Sequence, residues 1–331
     1  MTPATHASGT EPPAVRVDER QVEAFAQYLR KAETVPPFDF CSLSEGFIYP
    51  ERGRTDVLDY FFFACAHQFG FWTLVGDRWA APMVARRDGR DLKGSDFLWR
   101  ACTRAWQNDP RRFQPESLAA ASDAQLDAVF HDDSGRNPLP LWPEHLALIR
   151  GYADWFKGRR ETPAAVLRRA QAAPKPLFAL LEILAEIPGY AGDPLRKKAM
   201  LLAIALENRP ERFLRVADPE SAHPIIDYHL QRSALRTGLV RIDASALRAK
   251  IAARDLVSAD EEAAVRRATS AAIAQLMART RLSAAAIDWF FFQNRTRCPE
   301  TAEPDCPACP VHAICARETR LFQPVFRTTA Y

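Results

Sequence analysis

Four of the seven cysteines in this chain, Cys298, Cys306, Cys309 and Cys315, fall in one short stretch with the spacing Cys-x7-Cys-x2-Cys-x5-Cys. Pro299, Pro304, Pro307 and Pro310 stiffen that stretch, and four thiols crowded into such a loop point to a metal that gathers them. Zinc takes four thiolates tetrahedrally, and an iron-sulfur cube takes them around unequal loops, so the spacing leaves both open. A site closed by four protein ligands has no open position for substrate. Its expected work is to brace the C-terminal segment, residues 298–331. The odd cysteine count and a start, MTPATHASGTEPPAV, that lacks a basic stretch and an apolar signal core argue against a secreted disulfide framework. No apolar run reaches the length of a membrane span, so a cytoplasmic protein is expected. Cys41, Cys65 and Cys102 read as ordinary core thiols.

The rest of the chain reads as helix. With 331 residues, 47% of them hydrophobic, a large core is available. Val265, Ala268, Ala272 and Leu276 repeat at the three-to-four spacing of one buried helix face. Residues 1–16 show no apolar periodicity and read as a disordered tail, leaving residues 17–297 as the body. Trp72 to Lys93 is the exception: short β-capable runs around Gly76-Asp77 and Asp88-Gly89 predict a small hairpin or an irregular three-stranded insert. Pro174 and Pro176 open a helix through Leu181 and Leu184, which breaks at Ile187-Pro188-Gly189-Tyr190. Asp193-Pro194 then offers a cap with proline at the first helical position, giving helix, tight turn, helix. The expectation is mainly α, in two lobes without a long linker. The 44 basic residues against 41 acidic ones, a net charge of only +3, do not announce a partner for duplex nucleic acid.

The cysteine spacing is similar to the C-terminal iron-sulfur loop of endonuclease III-type DNA glycosylases, with one residue of difference in the first gap. Upstream, Ile187-Pro188-Gly189-Tyr190 followed by Arg196-Lys197-Lys198-Ala199 resembles their helix-hairpin-helix turn of LPGVG type and its lysine-bearing helix. Ile226 to Arg232 and Arg236-Thr237-Gly238-Leu239 resemble their VDTHVxR and RxGL patterns, with Asp227 where that superfamily keeps its catalytic carboxylate. The hairpin here carries extra residues, Ala191 to Leu195, and a poor copy of the glycine turn that holds a DNA phosphate. A second resemblance runs from about Asp59 to the C-terminus, to the queuosine-salvage family, which releases the base queuine from queuosine 5'-phosphate. Its matching stretches are Phe61 to Trp72, Lys93 to Trp106, Pro138 to Arg150, Arg196 to Leu201, Ile226 to Leu230, Asp288 to Phe292 and Phe326 to Tyr331. Gln68 stands where that family commonly has Asn, and Gln231 where it has Pro.

Together the resemblances imply a bilobal helix-hairpin-helix glycosylase-like fold with a C-terminal metal-cluster loop. They imply a 4Fe-4S cluster on the four cysteines, with zinc as the alternative. The implied reaction is hydrolysis of an N-glycosidic bond in a modified, 7-deazaguanine nucleotide or nucleoside. The alternatives are an iron-sulfur DNA glycosylase or lyase acting on damaged DNA, or a nucleic-acid-binding relative without activity. An oxocarbenium-like sugar needs a carboxylate on one face, the role given to Asp227, although an Asp after His223-Pro224 also suits a helix cap. Lys197 is the second catalytic candidate, against a plain solvated lysine in the Arg196-Lys197-Lys198 run. Gln68, Phe69, Phe71, Trp72, Tyr228, Trp289 and Phe292 are candidates to enclose the base, and aromatic residues are as often plain core. Asp288 could meet N-H groups of the base or could cap a helix. His229 and Arg232 fit a phosphate or an internal carboxylate equally well, and with Lys197 they are the candidates to hold a phosphate.

Overall fold

The computed structural model describes residues 15–32, 37–41, 47–76 and 78–331, and these are mainly helical, with thirteen α-helices and three two-stranded sheets. In chain order the first elements are β1 (Val15–Val17), α1 (Glu19–Lys31), α2 (Leu58–Ala66), β2 (Trp72–Val75), β3 (Arg78–Pro82), β4 (Val84–Arg87), β5 (Arg90–Lys93) and α3 (Gly94–Asn108). There follow α4 (Pro115–Ala120), α5 (Asp123–Asp127), α6 (Trp142–Arg159), α7 (Pro163–Gln171), α8 (Pro176–Leu184) and α9 (Lys197–Asn208). The last are α10 (Tyr228–Thr237), β6 (Val240–Ile242), α11 (Ser245–Ala253), α12 (Ala259–Thr280) and α13 (Ala284–Gln293). None of the described helices is long and apolar enough to cross a membrane.

Two hydrophobic cores organise these elements. The larger gathers α2, α3, α6, α7, α8 and α9, and the second gathers α1, α10, α12, α13 and β6. The stripe Val265, Ala268, Ala272 and Leu276 is buried in the second core, as its spacing predicts, and Cys41, Cys65 and Cys102 are buried thiols. The chain passes from one core to the other at two places that matter below. Ile225 packs into the first core and Ile226 into the second; on α13, Ala284 and Ala285 face the first while Ile287 and Phe291 face the second.

Three local expectations are corrected. The tail reading of residues 1–16 runs two residues too far, because Val15 and Arg16 pair with Ile242 and Arg241 in the β1–β6 ladder. A three-residue alternation is too short to show as a strand in sequence; residues 1–14 lie outside the described residues. The insert is two separate hairpins, β2–β3 and β4–β5, joined at Met83, whose amide donates to Phe71 O (2.7 Å) and whose carbonyl accepts from Gly94 N (2.9 Å). Asp88 and Gly89 both take positive φ, the geometry a two-residue hairpin turn favours. Third, α9 begins at Lys197 and not at Pro194. Arg196 sits in the left-handed region (φ 52°), which interrupts the helix that Asp193-Pro194 would otherwise start.

The turn between α8 and α9 is packed inward. Ile187 and Tyr190 are buried, the Tyr190 hydroxyl donates to Phe62 O, and a Cβ at Gly189 would come within 2.8 Å of the Ala66 Cβ. Only glycine allows that approach at φ 97°. This docking brings the start of α9 against the end of α2.

Candidate active site

The end of α2 and the start of α9 meet at two buried lysines. Lys197 Nζ donates to Gln68 O (3.1 Å), and Lys198 Nζ donates to Ala66 O (3.0 Å) and Thr329 O (2.7 Å). Lys197 also lines a cavity of about 250 Å³, together with Asp227, Asp288, Asp96 and Arg295. Its walls are aromatic. Trp289 stacks on Phe38 (4.8 Å between ring centroids) and on Phe292 (5.7 Å), and the Arg295 guanidinium lies 3.8 Å over the Phe292 ring. Phe40, Tyr49, Phe71, Trp99, Tyr228 and Tyr331 complete the enclosure. Arg209, fully buried at the end of α9, holds part of this wall by donating to Phe40 O (2.6 Å), Pro50 O (3.1 Å) and Glu51 O (2.7 Å).

Asp227 combines the two roles the sequence offered. It is the cap of α10, with Oδ1 accepting from His229 N (2.8 Å) and Leu230 N (3.0 Å), and it lines the cavity. A carboxylate fixed by two backbone amides has a set orientation, and Oδ2 takes no hydrogen bond among the described residues. Asp288 is not a cap. Ser283 caps α13, and Asp288 stands one turn in, facing the cavity, so the area it exposes is cavity wall. Burial, and then the nearby Asp227 charge, push the Asp288 carboxyl up to about 8, against the opposing pull of Lys197. Burial likewise lowers Lys197 from its ordinary value, while Asp227 and Asp288 oppose that shift. The site therefore holds a neutral carboxylic acid at pH 7, beside an anchored second carboxyl group and a desolvated amine.

Gln68, Phe71, Lys197, Asp227, Tyr228, His229, Asp288, Trp289 and Phe292, all expected from sequence, line this cavity; Phe69, Trp72 and Arg232 do not. Phe69 lies behind the wall, stacked on His145 at 4.0 Å, and Trp72 packs edge-on against Phe322 at 5.1 Å. Arg232 is only 2% exposed, its Nη2 donates to His229 Nδ1 (3.1 Å), and it stands in ion-pair range of Glu300, whose Oε1 lies 3.2 Å from Arg232 Nη1 and 3.2 Å from His229 Nδ1. Burial, with Arg232 next to it, holds the His229 imidazole well below its ordinary value and hence neutral. Of the three groups expected to hold a phosphate, Arg232 is thus withdrawn and His229 uncharged. Asp96, Arg295, Phe38, Tyr49, Trp99 and Tyr331 were not singled out. Asp96 and Trp99 lie within the Lys93 to Trp106 stretch and Tyr331 ends the last one, so the matched stretches were the available signal.

The four clustered cysteines line a second, smaller cavity of about 50 Å³. Arg236 Nη1 lies 3.3 Å from Cys298 Sγ and Arg317 N lies 3.3 Å from Cys315 Sγ, donors of the kind that stabilise bound thiolates. Among the described residues no three His, Cys, Asp or Glu side chains are grouped to hold a single metal ion. All four cysteines share this lining, and N-H donors stand beside two of their sulfurs.

No protein-family model matches this sequence, and no curated protein is recognisably similar to it. Among solved structures, the chain is similar to an endonuclease III trapped in a covalent intermediate with DNA. The identity is 12% and the TM-score 0.46, over 90% of this chain and 93% of that one.

Proposed function

We propose that this protein is an N-glycosidase that hydrolyses the bond between ribose and a modified, 7-deazaguanine type of base, acting on a free nucleoside or nucleotide. The observation that carries the reading is the cavity in which Asp227, Lys197 and Asp288 meet between stacked aromatic rings. Aromatic walls suit a flat base. Asp227, held by two amides, faces the sugar and stabilises the positive charge that develops at the anomeric carbon. Asp288, neutral at pH 7, donates a hydrogen bond to the leaving base, which in a 7-deazapurine lacks the ring nitrogen that is ordinarily protonated. Lys197 places an amine beside both carboxyl groups, anchored through Gln68 O. Cys298, Cys306, Cys309 and Cys315 would hold a 4Fe-4S cluster, which supplies a structural brace for the C-terminal loop.

The test is to incubate anaerobically reconstituted protein in parallel with queuosine, queuosine 5'-phosphate and damaged duplex DNA, and to measure released base. Release from either free substrate supports the reading. Nanomolar duplex affinity with a steep salt dependence, and no turnover of the free substrates, would replace it with a DNA-acting enzyme.

A further inference from the structure

Lys197 and Asp227 belong to different helices, and their own contacts do not join those helices. One buried side chain does. Arg266, on α12, is 5% exposed and spends its guanidinium on two partners. Nη1 and Nη2 form a fork on Asp193, at 2.7 Å to Oδ1 and 2.9 Å to Oδ2. Nε and Nη2 also donate to Ile226 O, at 3.3 and 3.1 Å. Each partner leads directly to a reacting group. Asp193 Oδ2 accepts from Lys197 N at 2.8 Å and so fixes the first residue of α9, while Ile226 immediately precedes Asp227. None of Asp193, Ile226 and Arg266 lines the cavity.

We propose that Arg266 is a positioning residue that sets the Lys197 end of α9 and the Asp227 end of α10 in one register, through Asp193 and the Ile226 carbonyl. This rests on the reading of Asp227 and Lys197 as the reacting groups. A planar fork with five donors meets both carboxylate oxygens and the carbonyl in fixed directions, a geometry that the single nitrogen of an ammonium does not reproduce. The Arg266–Asp193 pair is charge-balanced, and the Asp193 carboxyl, which burial alone would raise, is held below its ordinary value by Arg266 and by the Lys197 and Leu195 amides. The same guanidinium carries the Tyr331 ring at 4.7 Å, and Tyr331 lines the cavity, so a third wall element is set by the one residue.

The experiment compares wild type with Arg266→Lys, which keeps the charge and loses the fork, and with Arg266→Ala with and without added guanidinium. Site-resolved amide exchange is read at Lys197, His229 and Leu230, and kcat and KM are read separately with queuosine. In Arg266→Lys, exchange at those three amides should quicken by about tenfold or more while α1, α6 and α8 amides keep their protection. Where wild type turns over queuosine, kcat should fall by about a hundredfold with KM nearly unchanged, the scale of misplacing a reacting group by about 1 Å. Guanidinium should restore part of the protection and rate in Arg266→Ala. Wild-type exchange at the three amides, or equal acceleration across the whole chain, overturns the proposal. If wild type releases base from neither queuosine nor queuosine 5'-phosphate, the reading of the reaction fails by itself, and the exchange measurements still decide the role of Arg266.

Discussion

Asp288→Asn should stabilise the protein at alkaline pH and leave it nearly unchanged in acid. The native fold keeps the Asp288 carboxyl neutral up to about 8, against an ordinary value of 3.8. At about 1.36 kcal/mol per pH unit this corresponds to about 6 kcal/mol against the ionised form, and water reaching the cavity reduces the measurable part to about 2–3 kcal/mol. Well below the ordinary value of 3.8 the group is neutral in the folded and unfolded chains, so it costs nothing. As pH rises through the unfolded value, only the unfolded chain ionises freely, and native stability falls until the folded group also ionises near pH 8. Asparagine keeps the shape and removes the titration. The measurement is urea unfolding of both proteins at intervals from pH 4 to 9, with equal denaturant slopes as the check that the same surface unfolds. Lys198 and Lys93, which burial lowers to about 7 and about 8, titrate in both proteins and largely cancel in the difference, which reports Asp288 together with its coupling to Lys197. A difference independent of pH, or a variant less stable than wild type at pH 8.5, would refute the reasoning.

Asp227→Asn should fold normally, because an amide oxygen can still accept from His229 N and Leu230 N, yet lose about a hundredfold in base release; unchanged turnover would remove Asp227 from the chemistry. If neutral Asp288 assists the leaving base, the rate should decline as pH rises through about 8 and the decline should vanish in Asp288→Asn; a profile flat from pH 6 to 9 in wild type contradicts this. Cys309→Ser should lower iron content and soluble yield before it lowers the turnover of whatever protein stays folded, and a colourless wild-type preparation containing stoichiometric zinc would argue for the simpler metal. Trp289→Ala removes the ring between Phe38 and Phe292, so KM should rise by about tenfold with a smaller change in kcat; an unaltered KM would place the base elsewhere.

Sequence was informative where chemistry and periodicity are local. The α12 stripe, the cysteine loop and the Asp227 cap each announce themselves within a few residues, and all are found where the spacing puts them. The distinction between wall and core was not legible. Phe69 and Phe71 are two residues apart and equally apolar, but Phe69 faces His145 while Phe71 faces the cavity, because the chain leaves α2 through Gly70 at φ 74° and turns them different ways. Sequence leaves Arg232 open between a phosphate and an internal carboxylate, because the carboxylate that it meets, Glu300, is 68 positions away in the cysteine loop. Asp96 is one charge in the first turn of a helix, a place where Asp is common for helix-dipole reasons alone, so nothing in its neighbourhood marks it as cavity lining.

The two crossings between hydrophobic cores, at Ile225-Ile226 and along α13, place Asp227 and Asp288 on the seam rather than inside either half. A ligand seated there would touch residues belonging to both, and would act as a cross-brace in calorimetry. Free protein can melt in two overlapping steps, one for each core, with neither step obliged to follow the other. A tight ligand stabilises only states in which both halves are intact, so saturation should fuse the two steps into one sharper transition at higher temperature. Cooperativity of melting is thereby a property supplied in part by the occupant, and a screen that scores transition width as well as midpoint would recognise the natural ligand before any product is detected.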